Sequence, residues 1–170
     1  MEGKLSEEER GKRLELFEGL KGAVMKIGGG VNPPTNTAIK KIAKMTAKLE
    51  ALYEVHAEAY ATLPRLALVH PTLWLTEAYR GIKNLDKTIE YAVKLLRNFG
   101  IVVKVEGGGF EVVSETGLVN VEVVRALKYL NEAYLAKGEE EVAGMIMELA
   151  RSWFVCIVGC EVGMEEFLRS

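Results

Sequence analysis

The sequence predicts a mainly α-helical protein with one small β-hairpin. Three observations support this. Apolar residues recur at intervals of three and four over several long segments, as they do on the buried face of a helix. Glycine, proline and N-capping residues separate these segments, and three glycines join the one pair of β-branched runs. With 170 residues, of which 49% are hydrophobic and 27% charged, the chain can bury a core and is too apolar for disorder.

Residues 1–34 are predicted to form one helix and a linker. Ser6–Glu9 has the pattern of a capping box, and apolar residues at helical spacing follow it as far as Ile27. Gly28–Gly30 then end the helix, and Val31–Pro34 favours a stiff extended connection. The glycine triplet lacks the Lys and Ser/Thr that follow in a phosphate-binding loop, so we interpret it as part of the linker.

Residues 35–119 are predicted to hold the longest helix and a central module. The helix is expected from Thr35 or Asn36 to Leu63, because apolar residues alternate by four and three along it. Such a stripe is typical of a two-helix seam or the spine of a bundle. A second stripe on this helix is basic and consists of Lys40, Lys44 and Lys48, for which a solvated face is the usual explanation.

The central module is predicted to follow a break at Pro64. His70 and Pro71 favour an extended residue before a short helix over residues 72–80. Asn84, Leu85 and Asp86 supply a turn and an N-cap for the next helix, which ends at Gly100. Two strands, expected at residues 101–106 and 110–113, then form a hairpin around the three glycines.

Residues 120–170 are predicted to form a C-terminal helical hairpin, packed with the preceding parts as one compact unit. Asn120 caps a helix that runs to Ala136 and is closed by a Lys-Gly pair. Glu139–Glu141 place negative charge at the positive end of the last helix. That helix is apolar on nearly all sides after Ser152, which indicates burial in a core or in an oligomer interface.

These apolar helices predict a homodimer. It would pack through the long heptad helix, through the last helix, or through both. The expected interface residues are Met45, Leu49, Leu52, His56, Trp153 and Phe154.

A set of small and apolar residues precedes the hairpin at regular spacing. Its members are Ala78, Gly81, Ile82, Thr88, Ile89, Val93, Leu96, Gly100, Ile101 and Val102. With the hairpin, this pattern resembles the winged helix-turn-helix superfamily over residues 72–113. It departs from that family in a longer turn between Ile82 and Thr88.

The resemblance implies that the helix before the hairpin lies against DNA with an outward stripe of polar side chains. Lys and Arg can contact phosphates or guanine edges, and Asn can pair with adenine. The DNA-binding residues that the resemblance implies are Lys83, Lys87, Tyr91, Lys94, Arg97, Asn98 and Lys104. Glu106 and Glu111 flank the glycines of the hairpin, where they would repel phosphate, so we expect the helix to bind and the hairpin mostly to pack.

The charge distribution favours the same part of the chain. The net charge is only −2, but residues 36–105 hold 11 Lys/Arg against 6 Asp/Glu, and residues 106–170 hold 5 against 12. A polyanion would therefore meet the first of these segments. The sequence predicts a dimeric DNA-binding protein, either a transcriptional regulator or an architectural factor that binds double-stranded DNA. The alternative is a non-enzymatic helical subunit for protein interaction or assembly.

Other function classes find no support in the sequence. Neither histidine has an acid, base or nucleophile at motif spacing, and the two cysteines lack a second metal-binding pair, so we expect no enzyme activity, no cofactor and no metal. Met1–Lys4 begins no signal peptide, and no apolar run approaches the roughly 20 residues of a membrane helix, so we expect a cytoplasmic protein. Glutamine is absent and Asp86 is the single aspartate, a bias that resembles thermophile usage.

Overall fold

The computed structural model describes Glu8 and residues 35–54, 68–115 and 119–158. Over these ranges the protein is mainly helical with one antiparallel hairpin, which confirms the predicted fold class. The elements in chain order are α1 (Asn36–Glu54), α2 (Val69–Gly81), α3 (Leu85–Asn98), β1 (Ile101–Glu106), β2 (Gly109–Glu115), α4 (Val121–Ala136) and α5 (Glu140–Val158). The predicted N-terminal helix, apart from Glu8, and the predicted end of the long helix at residues 55–63 lie outside the described ranges.

Helix α3 lies at the centre and is shared by two hydrophobic cores. The first core joins α3 to β1, α4 and α5, and Leu96, Leu127 and Ile146 are fully buried in it. The second core joins α1, α2 and α3, with Ile42 and Leu75 buried. Because α3 contributes to both cores, it is buried on two sides. Less of its surface faces the solvent than on a helix with a single buried face.

Two asparagines cap the helices on either side of the hairpin: Asn120 is the predicted cap, and Asn84 belongs to the segment 84–86 that was predicted to supply a turn and a cap. Asn84 Oδ1 accepts a hydrogen bond of 3.1 Å from the backbone N–H of Lys87 and starts α3. Asn120 Oδ1 accepts one of 3.1 Å from the N–H of Val123 and starts α4. Each side chain satisfies a donor that the helix itself leaves free, which fixes the first residue of the helix.

Helix α2 begins earlier than the sequence indicated. It starts at Val69 and contains both His70 and Pro71, so the expected extended residue before Thr72 is wrong. The physical reason is that Pro71 lies in the first turn, where the backbone N–H that proline lacks would have no partner within the helix.

The hairpin turns at Gly107 and Gly108, which have φ values of 56° and 80°. Positive φ at both central residues is the two-residue turn that matches strand twist. Val103 pairs with Val112, and Val105 with Phe110, so these apolar side chains share the face that packs on the first core. This agrees with the expectation that the hairpin mostly packs.

Two helices end in the same backbone motif with different residues. After α2, the N–H of Lys83 bonds to Arg80 O at 3.1 Å and the N–H of Asn84 to Tyr79 O at 3.0 Å. After α4, Gly138 and Glu139 make the corresponding bonds at 3.0 and 2.9 Å. Both motifs need a left-handed residue, and Gly138 has φ of 79° whereas Lys83 has φ of 60°. Lys83 is thus a lysine at a position that favours glycine.

Within the described ranges, no helix has the length and apolar character needed to cross a membrane.

Candidate nucleic-acid interface

The structure orients α3 differently from the sequence prediction. Tyr91 is 6% exposed and Asn98 is 3% exposed, so their expected place on an outward stripe is wrong. The side chains that do face outward are those of Asp86, Lys87 and Glu90, with Lys94 and Arg97 partly exposed at the edge. The difference arises because α1 and α2 cover the side of α3 that carries Tyr91 and Asn98.

Tyr91 is an aromatic anchor of the second core. Its ring stacks on that of Tyr79, with 5.3 Å between centroids and 20° between planes. The Lys94 ammonium lies 4.9 Å from the centroid of the same ring. Burial raises the pKa of the Tyr91 phenol, since the ionised form would lose its hydration. These contacts give Tyr91 a packing role in this chain.

Asn98 connects α3 to α2 inside the protein. Its Nδ2 donates a hydrogen bond of 2.7 Å to Thr72 Oγ1, and both side chains are buried. The Thr72 hydroxyl in turn donates to the carbonyl oxygen of Leu68. The amide that was expected to read a base is therefore used between two helices of the same chain.

The outward lysines of α3 are paired with carboxylates. Lys87 Nζ lies 3.3 Å from Glu90 Oε2, and Lys94 Nζ lies 3.5 Å from Glu50 Oε2 on α1. Each pair removes most of the local positive potential that a phosphate would meet. This outward surface of α3 is consequently close to neutral, and it is a poor candidate for the main contact with a polyanion.

Asp86, in the first turn of α3, is held by a lysine at the end of α4. Its Oδ1 lies 2.8 Å from Lys137 Nζ, and this hydrogen bond, together with the charge of Lys137, lowers the pKa of the Asp86 carboxyl. A lowered pKa in the folded state means that the contribution of Asp86 to stability is present at neutral pH. It is lost as the pH falls through the lowered value.

Replacing Lys137 with alanine is expected to return the pKa of Asp86 towards its ordinary value, because the bond and the charge are both removed. Asp86 is the single aspartate of the sequence, so carbon-13 labelling of aspartate gives one carboxyl signal whose titration can be followed by NMR. Lys87→Ala is the control, since Lys87 pairs with Glu90 instead. An equal shift in both variants would contradict the assignment.

The hairpin presents acidic charge outward. Lys104 is exposed, lies 3.3 Å from Glu106 and pairs in register with Glu111. The turn packs towards α5, where a Cβ on Gly108 would lie 3.9 Å from Glu141 Oε2. The single base of the hairpin is therefore surrounded by carboxylates.

A basic surface without such neighbours among the described residues lies on α1. We name it the α1 lysine face, and it consists of Lys40, Lys41, Lys44 and Lys48. All four are exposed and lie opposite the side of α1 that packs on the second core. In the part of the chain that the structure describes, none of the four forms an ion pair. The sequence showed three of them as a stripe; Lys41 was missed because it lies off the strict four-residue spacing.

The expected dimer residues are largely used within one chain. Leu49 is fully buried in the second core and Phe154 is 5% exposed in the first, so neither offers a surface to a second copy. Their burial corrects the predicted interface at these two positions. Met45 and Trp153 are partly buried against the same cores. The side chain of Leu52 and all of His56 lie outside the described residues.

Comparisons with models of protein families, with curated proteins and with solved structures found no match to this chain.

Proposed function

We propose that this protein binds double-stranded DNA through the α1 lysine face, by contacts to phosphates. The observation that supports this is the set of four exposed lysines that no carboxylate of the described chain neutralises. In a chain whose net charge is −2, such a set is a local excess of positive charge. Binding to it would release counterions from DNA, which is the main source of sequence-independent affinity.

The geometry of a helix suits this role. Lys40 and Lys48 are separated by a rise of about 12 Å along the axis of α1, so the face can lie along several phosphates of one strand. On the opposite side of α1, Ile42 and Leu49 are fully buried in the second core and hold the helix in place. The cations are therefore carried on a rigid element, and one copy of the chain is sufficient for the contact.

The same features favour an architectural role over the reading of a specific sequence. The α1 lysine face consists of lysines, whose flexible ammonium groups act as point charges, whereas the planar groups of Arg, Asn and Gln form the more specific paired hydrogen bonds with base edges. On α3, Asn98 is buried and Lys87 and Lys94 are paired with glutamates. We accordingly expect duplexes of different sequence to bind with similar affinity.

The test is the salt dependence of DNA binding, measured by fluorescence anisotropy with a labelled duplex between roughly 50 and 200 mM salt. Replacing Lys44 and Lys48 with alanine is expected to reduce the slope of log affinity against log salt by about 1.8, since each lost phosphate contact contributes about 0.9. Alanine is a strong helix former, so the variant should keep the fold of α1.

A matched variant replaces Lys104 and Lys137, which lie outside the α1 lysine face and are paired with carboxylates, by alanine. It makes the same change in net charge but should leave the slope close to that of the unaltered protein. Equal slopes for both variants would contradict the assignment to α1. Absence of binding at low salt would contradict DNA binding altogether and favour the protein-interaction alternative.

A further inference from the structure

A cleft of about 450 Å³ lies between the end of α2, the start of α3 and α4. Its apolar part is formed by Leu85, Ala133 and Ala136, with Tyr129 beside them. Its polar rim carries Arg80, Lys83 and Glu132. A small apolar cleft with a few charged groups at one edge is the usual form of a small-molecule site.

We propose that this cleft binds a small organic carboxylate, with its apolar body against α4 and its carboxylate between Arg80 and Lys83. The proposal is independent of DNA binding, because it concerns other residues and a different class of ligand.

Arg80 is held in one geometry at the rim. Its Nε and Nη2 donate to the two carboxylate oxygens of Glu132 at 2.7 and 3.1 Å, and its guanidinium carbon lies 4.7 Å from the centroid of the Tyr129 ring. This hydrogen bond to Glu132 raises the pKa of Arg80, because it stabilises the charged guanidinium. Two of the five guanidinium N–H groups are used in this pair. The remaining donors are held in a fixed orientation, so they are preorganised to bind an anion.

Lys83 supplies the net positive charge. Glu132 neutralises Arg80, whereas Lys83 is exposed and has no ion pair within the described residues. The rim therefore carries one charge in excess, which matches a ligand with a single negative charge. The positive end of α3, which begins at the neighbouring Leu85, adds to the same potential.

The backbone conformation of Lys83 points to a binding role for its side chain. Lys83 has φ of 60°, in a motif that Gly138 forms at the end of α4. A side chain is disfavoured in this conformation, so glycine would serve the turn better. A residue kept in an unfavourable conformation beside a cleft is a reason to look for a ligand. Here the ligand would be the anion that Lys83 and Arg80 can reach together.

The apolar residues that line the cleft determine which non-polar group the ligand can carry. Ala133 and Ala136 line the cleft with small side chains, and Leu85 and Tyr129 line it with larger ones. A flat or branched apolar group the size of a phenyl ring suits such a space, and burial of its surface would add to the affinity. A ligand with only a carboxylate, or only an apolar group, would contact part of the site. Both groups of the ligand are therefore expected to contribute to the affinity.

The experiment titrates the full chain, labelled with nitrogen-15, with phenylacetate and follows the amide signals of the lining residues by NMR. Neutral phenylacetamide and acetate are the matched probes, because each lacks one half of the ligand. Phenylacetate is expected to bind at about 10 mM or below, and the two probes at least about tenfold more weakly. Equal binding of phenylacetamide would overturn the role of the rim.

Lys83→Gly separates function from folding. It should raise the melting temperature by about 2–5 °C, because the left-handed residue is relieved, while weakening phenylacetate at least about tenfold. Lys83→Asn, which tolerates the same φ without the charge, should also weaken it. Lys87→Ala, the control, removes a charge that does not line the cleft. Unchanged binding in both Lys83 variants, or the absence of shifts at the lining residues, would overturn the proposal.

Discussion

Replacing Leu127 with alanine is expected to lower the free energy of unfolding by about 2–5 kcal/mol. Leu127 is fully buried in the first core, on the helix that packs against both α3 and α5. The substitution removes apolar surface from the core and leaves a cavity that helices packed on two sides cannot close. Urea unfolding followed by circular dichroism measures the loss as a lower midpoint at an unchanged slope.

Leu135 provides the matched control for this prediction. It lies on the same helix, two turns further along, and is 51% exposed. Leu135→Ala makes the same chemical change and should alter the free energy of unfolding by less than about 0.5 kcal/mol. If the two variants were destabilised equally, the assignment of Leu127 to the core would be wrong.

Replacing Thr72 with valine is expected to lower the free energy of unfolding by about 1–3 kcal/mol. Valine has the shape of threonine but cannot accept the hydrogen bond of 2.7 Å from Asn98 Nδ2. The buried amide of Asn98 would then lose its best partner and keep only a long contact of 3.5 Å to Leu68 O. The loss of stability arises because a buried donor is left without a hydrogen bond. This costs more than removing the donor and the acceptor together.

This reasoning can be tested with a second substitution. Asn98→Leu removes the donor as well, so the double variant should lose clearly less stability than the sum of the two single variants. Thr76→Val is the control, because Thr76 is equally buried but bonds only to the carbonyl of Thr72 in its own helix. Additive losses in the Thr72 and Asn98 pair would show that the contact between α2 and α3 contributes little.

The sequence predicted the local features of this fold well. Asn84 and Asn120 are short polar residues directly before apolar periodic segments, and both are caps in the structure. The glycines at the hairpin turn have the positive φ values that their residue type favours. Such features depend on neighbouring residues alone, so one sequence is sufficient to recognise them.

The orientation of α3 could not be predicted in the same way. Its apolar spacing favoured one buried face, but Tyr91 and Asn98 are residues that suit either water or an interior. Which of these they meet depends on α1, whose packing position is set by contacts distant in the chain. The cleft also depends on residues that are far apart in the sequence, because Arg80 and Glu132, which pair at its edge, are separated by 52 positions. No local pattern marks such a pair before the fold is known.

The position of α3 between two cores has a consequence for how the protein opens. If the second core came apart, the side of α3 that carries Tyr91 would lose its cover, and the helix would also lose the bond from Asn98 to Thr72. Loss of the first core would expose Leu96 on its other side. Unfolding of either core therefore weakens α3, the helix that also stabilises the other core. The backbone amides of α3 should belong to the last unit of the described chain to exchange with solvent deuterium.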